Sequence, residues 1–411
     1  MKLSTQPYKG TRDFYPEDMR IRQWMFGKWR KVVECFGYEE YDGPILEPLE
    51  LFAAKTSEEI VNDQSFNFED RGGRKVIMRP EMTPTVSRMV AAKRQELGYP
   101  LRLYSIPNCF RYERQQRGRL REFWQLNVDL FGVEGIAADM ENILIVDALM
   151  KEFCATNDMY EIRINSRLLL NKRIKDPVVG LKTNVADVIR ALDSYDKQDR
   201  DTIIKNLSEF VENPEKLLTL LENDGPSDEV KKVQVALEKL GIKVKPTETL
   251  ARGFDYYTDI VFEVFDKDPE NNRSMFGGGR YDGLVGQFGV EPVPTVGFGV
   301  GDVTFKNFLE THNLLPKLEN STDLVVVLIG DVYQESQELI AELRDQGINA
   351  SVDMTDRKLD KKIKSAAKQG VKYALFVGEK ELDTSVYVLR DLEKGEEQKL
   401  GVKEIAKTIK G

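Results

Sequence analysis

A chain of 411 residues, 41% hydrophobic and 31% charged, has the make-up of a soluble globular protein of roughly two to four domains. Its net charge of −9 excludes a protein that coats nucleic acid wholesale, while leaving room for a local basic patch. Three scattered cysteines (Cys35, Cys109, Cys154) and a single histidine (His312) exclude a zinc site of the usual kind and fit a reducing compartment.

The N-terminal stretch has no apolar leader and no segment is long enough to span a bilayer, so the protein is expected in the cytoplasm, without membrane contact. Residues 7–16, PYKGTRDFYP, read as a loop bounded by proline and glycine. The spacing of Met19, Trp24, Phe26, Trp29, Val32 and Val33 predicts a helix over 17–36, stopped at Gly37. A strand interrupted at Pro44 follows. Residues 66–79 predict a hairpin turning at Gly72-Gly73. Thr83 then reads as an N-cap, with Pro84 in the first helical position, and the helix is expected to run to Gly98. Glu81 and Thr83 thus stand where a strand hands over to a helix. Ligand-binding groups are common there, although a plain cap is the simpler reading of Thr83.

Residues 109–132, CFRYERQQRGRLREFWQLNVDLFG, predict two strands joined by an arginine-rich loop. Period 2 puts Arg111 and Glu113 on one face of the first strand. In the second, Trp124, Leu126, Val128 and Leu130 alternate with Phe123, Gln125, Asn127 and Asp129. One face suits a core, and the other presents polar groups beside Arg114, Arg117, Arg119 and Arg121, whose guanidinium forks suit phosphates. A solvated hairpin with a charged turn is the bland reading.

A helix is expected over 136–153 and a short strand at EIRIN. Residues 167–245 are mostly amphipathic helix with no phosphate-binding spacing. Strand composition resumes over 251–265 and continues in FGGGRYDGLV (276–285), where the glycine run alone would read as a tight turn, and TVGFGVGDVTFKNFL (295–309). After a linker near 314–323, the order βαβαββ with a terminal helix is predicted. The strand VVVLI is apolar enough to be buried on both faces.

Phe110-Arg111-Tyr112-Glu113, followed by Arg119 through Phe123, resembles motif 2 of the class II aminoacyl-tRNA synthetases. Arg252-Gly253-Phe254-Asp255-Tyr256-Tyr257 resembles the RGLDYY motif of the histidyl-tRNA synthetase family. Gly277-Gly278-Gly279-Arg280-Tyr281-Asp282 resembles that family's second histidine-specific motif. The resemblance implies an α+β protein: a catalytic domain built on an antiparallel sheet flanked by helices (1–166 and 246–316), a helical insertion (167–245), a linker (317–321) and an α/β anticodon-binding domain (322–411). It implies a class II ligase that activates L-histidine with ATP and transfers histidine to the 3′ end of tRNA(His). Motif 1 around Pro44 implies a homodimer. Mg2+ is expected with ATP, and no metal ligand is assigned.

The resemblance also implies roles. Arg111 matches the arginine on the α-phosphate, and Arg252 the one between substrate carboxylate and that phosphate; these are the catalytic pair. Glu113 matches the residue on the adenine amino group, Phe123 the ring stacked on adenine, and Arg119 the cation on the γ-phosphate. Glu81, Thr83 and Gln125 match the set around the substrate ammonium. Asp129 stands where the family has glutamate against the imidazole, one methylene shorter. Tyr257 matches a tyrosine that bonds the imidazole, and Tyr281 one that lines its pocket. Gln116 matches a contact to the tRNA acceptor end, and Gln115 replaces the usual proline beside it.

Motif 3 departs from the pattern. The chain reads Gly297 to Thr304, with Thr304 in the place of an arginine. A cation contact to phosphate, worth about 1.5–3 kcal/mol, is therefore expected to be missing. Lys306, two positions on, points elsewhere on a helix. In the last domain, Lys358, Lys361, Lys362 and Lys364 suit either tRNA phosphates or a solvated face. The alternative is a non-catalytic synthetase-like regulatory subunit of histidine biosynthesis. Such a protein would be expected to lack the RGLDYY residues and the last domain.

Overall fold

The computed structural model describes residues 3–53, 64–114, 116–192, 195, 198–271 and 274–411, so Gln115 lies outside the described residues. Two compact units divide at Leu315 and Pro316. No helix among the described residues is long and apolar enough to cross a membrane.

The first unit is organised by one large, mostly antiparallel sheet. Its strands are β1 (Glu39–Glu40), β5 (Leu101–Ser105), β7 (Glu122–Phe131), β12 (Thr295–Gly301), β11 (Ser274–Arg280), β10 (Ile260–Asp266), β8 (Tyr160–Ser166) and β9 (Val244–Pro246), in that spatial order. β6 (Asn108–Phe110) joins as the partner of the first part of β7, forming a hairpin, but it stops at Phe110, so Arg111 and Glu113 lie in the connecting loop rather than on a strand face as expected. Only the outer pairs β1–β5 and β8–β9 are parallel. A separate three-stranded sheet pairs β4 (Lys75–Met78) with β2 (Leu46–Pro48) and β3 (Asn67–Glu69). The short helix α2 (Leu49–Ala53) follows β2 and buries Phe52 against Ile77 of β4.

Period 2 decides what each face does. Leu126, Val128 and Leu130 of β7, with Val296, Phe298 and Val300 of β12, are buried in one cluster with Trp29, Val33, Ile145 and Phe305. Those last four come from the helices α1 (Pro16–Cys35), α4 (Ile136–Glu152) and α10 (Asp302–Thr311). The helices therefore cover one side of the sheet and leave the opposite side for Gln125, Asn127 and Asp129. Aromatic edge contacts lock this layer, with Phe153 and Phe305 ring centres 4.8 Å apart.

The helix after Met82 differs from expectation. Thr83 is the first residue of α3 (Thr83–Ala92), Met82 is its N-cap, and no side chain caps it. It ends at Ala92 rather than Gly98. Lys93 leaves the helical backbone at φ −120°, and a separate hydrogen-bonded turn follows, in which the Leu97 amide donates to the Lys93 carbonyl at 3.1 Å.

The helices α5 (Arg167–Ile174), α6 (Val185–Leu192), α7 (Arg200–Leu207) and α8 (Pro214–Asn223) have their own core, built from Leu170, Ile174, Val188, Leu207 and Leu218. Helix α9 (Asp228–Glu238) instead buries Val230, Val233 and Leu237 in the main cluster.

The second unit is an α/β layer with strand order β14-β13-β15-β16-β17. β13 (Leu324–Leu328), β14 (Ala350–Asp353) and β15 (Tyr373–Val377) are parallel; β16 (Tyr387–Asp391) and β17 (Glu397–Leu400) are antiparallel. Every residue of β13 is buried, as its composition required. Helices α11 (Gln337–Asp345) and α14 (Val402–Lys410) bury Ile340 and Ile405 in one cluster, and α12 (Leu359–Lys368) buries Ala366 in another. The predicted order missed β17 and the short helix α13 (Glu379–Thr384). β17 is an edge strand of sequence EQKL, with no apolar alternation to betray it.

Candidate active site

Sequence-distant segments meet on the uncovered face of the sheet. β7 supplies Gln125, Asn127 and Asp129, which pair with Gly301, Gly299 and Gly297 of β12; Gly299 and Gly297 pair in turn with Gly277 and Gly279 of β11. The floor beside the polar strand is thus paved with glycine. The reason is space. A Cβ at Gly277 would stand 2.0 Å from an Arg252 Nη1 and 2.3 Å from the Phe262 carbonyl oxygen. At Gly297 it would meet the Asp129 carboxylate and the Tyr281 hydroxyl within 2.5 Å. The glycine run 277–279 is strand interior, not a turn, because functional side chains lie flat across it.

Above this floor is a cleft of about 240 Å³, lined by Arg111, Glu113, Arg119, Phe123, Arg252 and Thr304 among others. A narrower recess of about 40 Å³ continues from it, past Glu81, Thr83, Gln125, Tyr256, Tyr257 and Tyr281. Arg111, Gln125, Arg252 and Phe254 line both.

Arg111 donates from Nε to the Pro80 carbonyl at 2.9 Å, and its guanidinium carbon lies 5.3 Å from the Phe123 ring centre. Glu113 accepts from Arg119 at 3.1 Å. Arg252 reaches Glu263 at 3.2 Å. Three guanidinium groups therefore border the cleft, with Glu113 and Glu263 as their carboxylate partners.

The recess is closed by tyrosines. Tyr256 donates to Glu81 at 3.0 Å, and Tyr281 donates to Asp129. Tyr281 is fixed by its neighbour Arg280, which pairs with Asp139 of α4 at 2.6 Å and donates to the Gly135 carbonyl at 2.7 Å. Asp129 is buried, and loss of water pushes its carboxyl up to about 7, against the hydrogen bonds from Tyr281 and Tyr41 that lower it. Its carboxylate lies under the Tyr281 hydroxyl rather than on the recess wall, which Tyr281 itself lines.

Of the residues read from sequence, Glu81, Thr83, Arg111, Gln125, Arg252, Tyr257 and Tyr281 line the recess, and Arg111, Glu113, Arg119, Phe123 and Arg252 line the cleft. Gln116 lies apart from both, in the loop, where the Arg119 amide donates to its carbonyl at 2.9 Å. Asn127 and Tyr256 were missed as lining residues. Asn127 was visible in the β7 alternation between Gln125 and Asp129; Tyr256 sat within a motif read only through its neighbours.

A family model described as histidyl-tRNA synthetase matches residues 10–301. The chain belongs to the histidyl-tRNA synthetase family. It is thus a class II aminoacyl-tRNA ligase by family. A second model, described as an anticodon binding domain, matches 323–411. A histidine–tRNA ligase of Leptospira biflexa is 40% identical over 410 residues, covering 95% of this chain and 94% of that protein. Another, from Pyrococcus abyssi, is 36% identical over 428 residues and covers 98% of each. The solved structure of apo S. aureus histidyl-tRNA synthetase covers 100% of both chains at 25% identity, with a TM-score of 0.76.

Thr304 has a defined local contact. Thr304 donates from Oγ1 to the Met275 carbonyl at 2.9 Å, so it ties α10 to β11 at the cleft wall. Asp302, two residues before it, accepts from Arg12 at 2.7 Å and from the Trp124 amide at 2.9 Å. In the C-terminal unit, Lys358, Lys361 and Lys364 are exposed, but Lys362 is buried and donates to the Leu328 carbonyl at 3.1 Å. Lys362 is therefore a structural clamp across the strand ends, not a phosphate contact.

Proposed function

We propose that the cleft binds ATP and the recess binds L-histidine, and that the chain forms histidyl-adenylate and then histidyl-tRNA(His). The observation that carries this reading is the shared wall. Arg111 and Arg252 border both chambers, where a substrate carboxylate and an α-phosphate would meet. Attack of one anion on another needs charge neutralisation and alignment more than proton transfer, which suits a site of arginines without histidine. As the Pα–O bond to the new mixed anhydride forms, the bond to the bridging oxygen breaks and pyrophosphate leaves with that electron pair.

On this reading Glu113, Phe123 and Arg119 hold adenine and the γ-phosphate, while Glu81, Thr83 and Gln125 hold the ammonium group. Tyr257 and Tyr281 bond the imidazole, with Asp129 acting through Tyr281. Gln116 meets the tRNA acceptor end. Mg2+ would ride on the triphosphate, which suits a cation that keeps few protein ligands; among the described residues no group of three acidic, histidine or cysteine side chains gathers to hold a metal. A homodimer is supported by the exposed apolar side chains Ile45, Leu46 and Phe68 near Pro44. A cytoplasmic location is supported by the sparse, unpaired cysteines.

The test is ATP–pyrophosphate exchange on the purified protein with each amino acid in turn. Exchange with histidine alone is expected. Binding of histidine without any exchange would instead favour the regulatory reading, with Thr304 as the lesion.

A further inference from the structure

Residues 250–257 carry Arg252, Phe254, Tyr256 and Tyr257 into the site, yet contain no helix or strand. Their support comes from the helical segment that begins at Arg167. The Ala251 methyl is buried in that segment's core, with Leu170, Ile174, Val188 and Ile189. Arg167, the first residue of α5, is buried and donates from Nη1 to the Arg252 carbonyl at 2.8 Å. Arg190 of α6 places Nη1 3.7 Å from the Asp255 carboxylate. Attachments at 251, 252 and 255 thus bracket the backbone from which the Arg252 guanidinium projects toward Glu263.

We propose that Arg167 and Arg190 are positioning residues for Arg252: through them the helical segment sets where that guanidinium stands between cleft and recess, and so tunes amino-acid activation. The inference rests on the reading of the two chambers given above. A misplacement of about 1 Å in a reacting constellation can cost about a hundredfold in rate, so a loop without secondary structure needs such external anchors. The buried guanidinium–carbonyl contact is the stronger of the two, and the partly exposed ion pair with Asp255 the weaker.

Histidine-dependent ATP–pyrophosphate exchange, normalised to sites titrated by adenylate formation, tests this on the full chain. Arg167→Met keeps the unbranched stem, is shorter at the tip, and removes the donors. It is expected to lower kcat about tenfold and raise the histidine KM severalfold, with the ATP KM within about twofold of wild type. Arg167→Lys should recover most of the loss. Because a buried arginine can matter for folding, Arg190→Gln, Asp255→Asn and their double variant provide a second route. Each single change should cost about two- to fivefold, and the double no more than the larger single. The proposal falls if folded Arg167→Met has wild-type constants per titrated site. Should that variant not fold, it falls if the Arg190 and Asp255 losses multiply. A wild-type protein silent in the exchange overturns the reading of the chambers instead, and is distinguishable for that reason.

Discussion

Asp129 and Arg252 illustrate how two ionisable side chains of one site can be held in opposite ways. Asp129 is a carboxyl that burial keeps protonated toward about 7, from an ordinary 3.8. The folded state then holds a proton between those values that the unfolded chain has released. Stability should therefore fall as pH rises through that window, by on the order of 4 kcal/mol when complete. Asp129→Asn removes the titration. In urea unfolding without ligands, variant and wild type should be close at pH 4, and the variant more stable by a few kcal/mol at pH 8. An unchanged gap between the two pH values would show that Asp129 is ionised throughout. The same variant should raise the histidine KM more than the ATP KM, because its effect passes through Tyr281 in the recess. Arg252 is paired with Glu263 and projects to the wall common to both chambers. Arg252→Ala should lower exchange by about a hundredfold or more with an unfolding midpoint close to wild type. Retained exchange would remove Arg252 from the chemistry.

At the scale of elements, the glycines of β11 and β12 separate what must be small from what can yield. A Cβ at Gly277 meets the backbone oxygen of Phe262 on the neighbouring strand, which cannot move without breaking the sheet. The nearest atoms a Cβ at Gly299 meets are those of the Gln125 side chain, from 2.7 Å, and that side chain can rotate away. Gly277→Ala is thus expected to destabilise the protein by about 1–3 kcal/mol. Gly299→Ala should fold normally but raise the histidine KM several-fold through displaced Gln125. Equal thermal stability for the two variants would contradict this division. The strand β7 was legible in the sequence because its two faces serve different solvents, a core and a site, and period 2 writes that difference into Leu126 against Gln125. The glycine strand was not legible, because a run of three glycines has no alternation and fits a turn equally well. What rejects the turn is the side chains lying across it, Arg252 at Gly277 and Tyr257 at Gly279, which reach it from another segment of the chain. The clamp from Arg280 to Asp139 was hidden for the same reason, 141 residues apart in the chain. Lys362 looked like its neighbours in a basic helix; only the closeness of α12 to the end of β13 makes it a buried donor.

For the whole molecule, the division at Leu315 has a functional consequence. The first unit holds every residue of the cleft and recess, and its largest core draws only on residues before Pro316. The second unit buries both faces of its own sheet. Val326, Ile340 and Ile405 belong to the cluster on one face, and Val325, Ala366 and Phe376 to the cluster on the other. Cores that share no residues predict stability that can be separated. A chain ending at Leu315 should therefore keep histidine-dependent exchange within about threefold of the full chain. Charging of tRNA(His) should fall by at least about tenfold, since exposed Lys358, Lys361 and Lys364 go with the second unit and phosphate contacts supply much of the affinity for nucleic acid. Raising the salt concentration should narrow the difference between the two chains in charging and leave exchange little changed. Full charging by the shorter chain would take the second unit out of tRNA recognition. Loss of exchange together with charging would mean that the first unit does not stand alone.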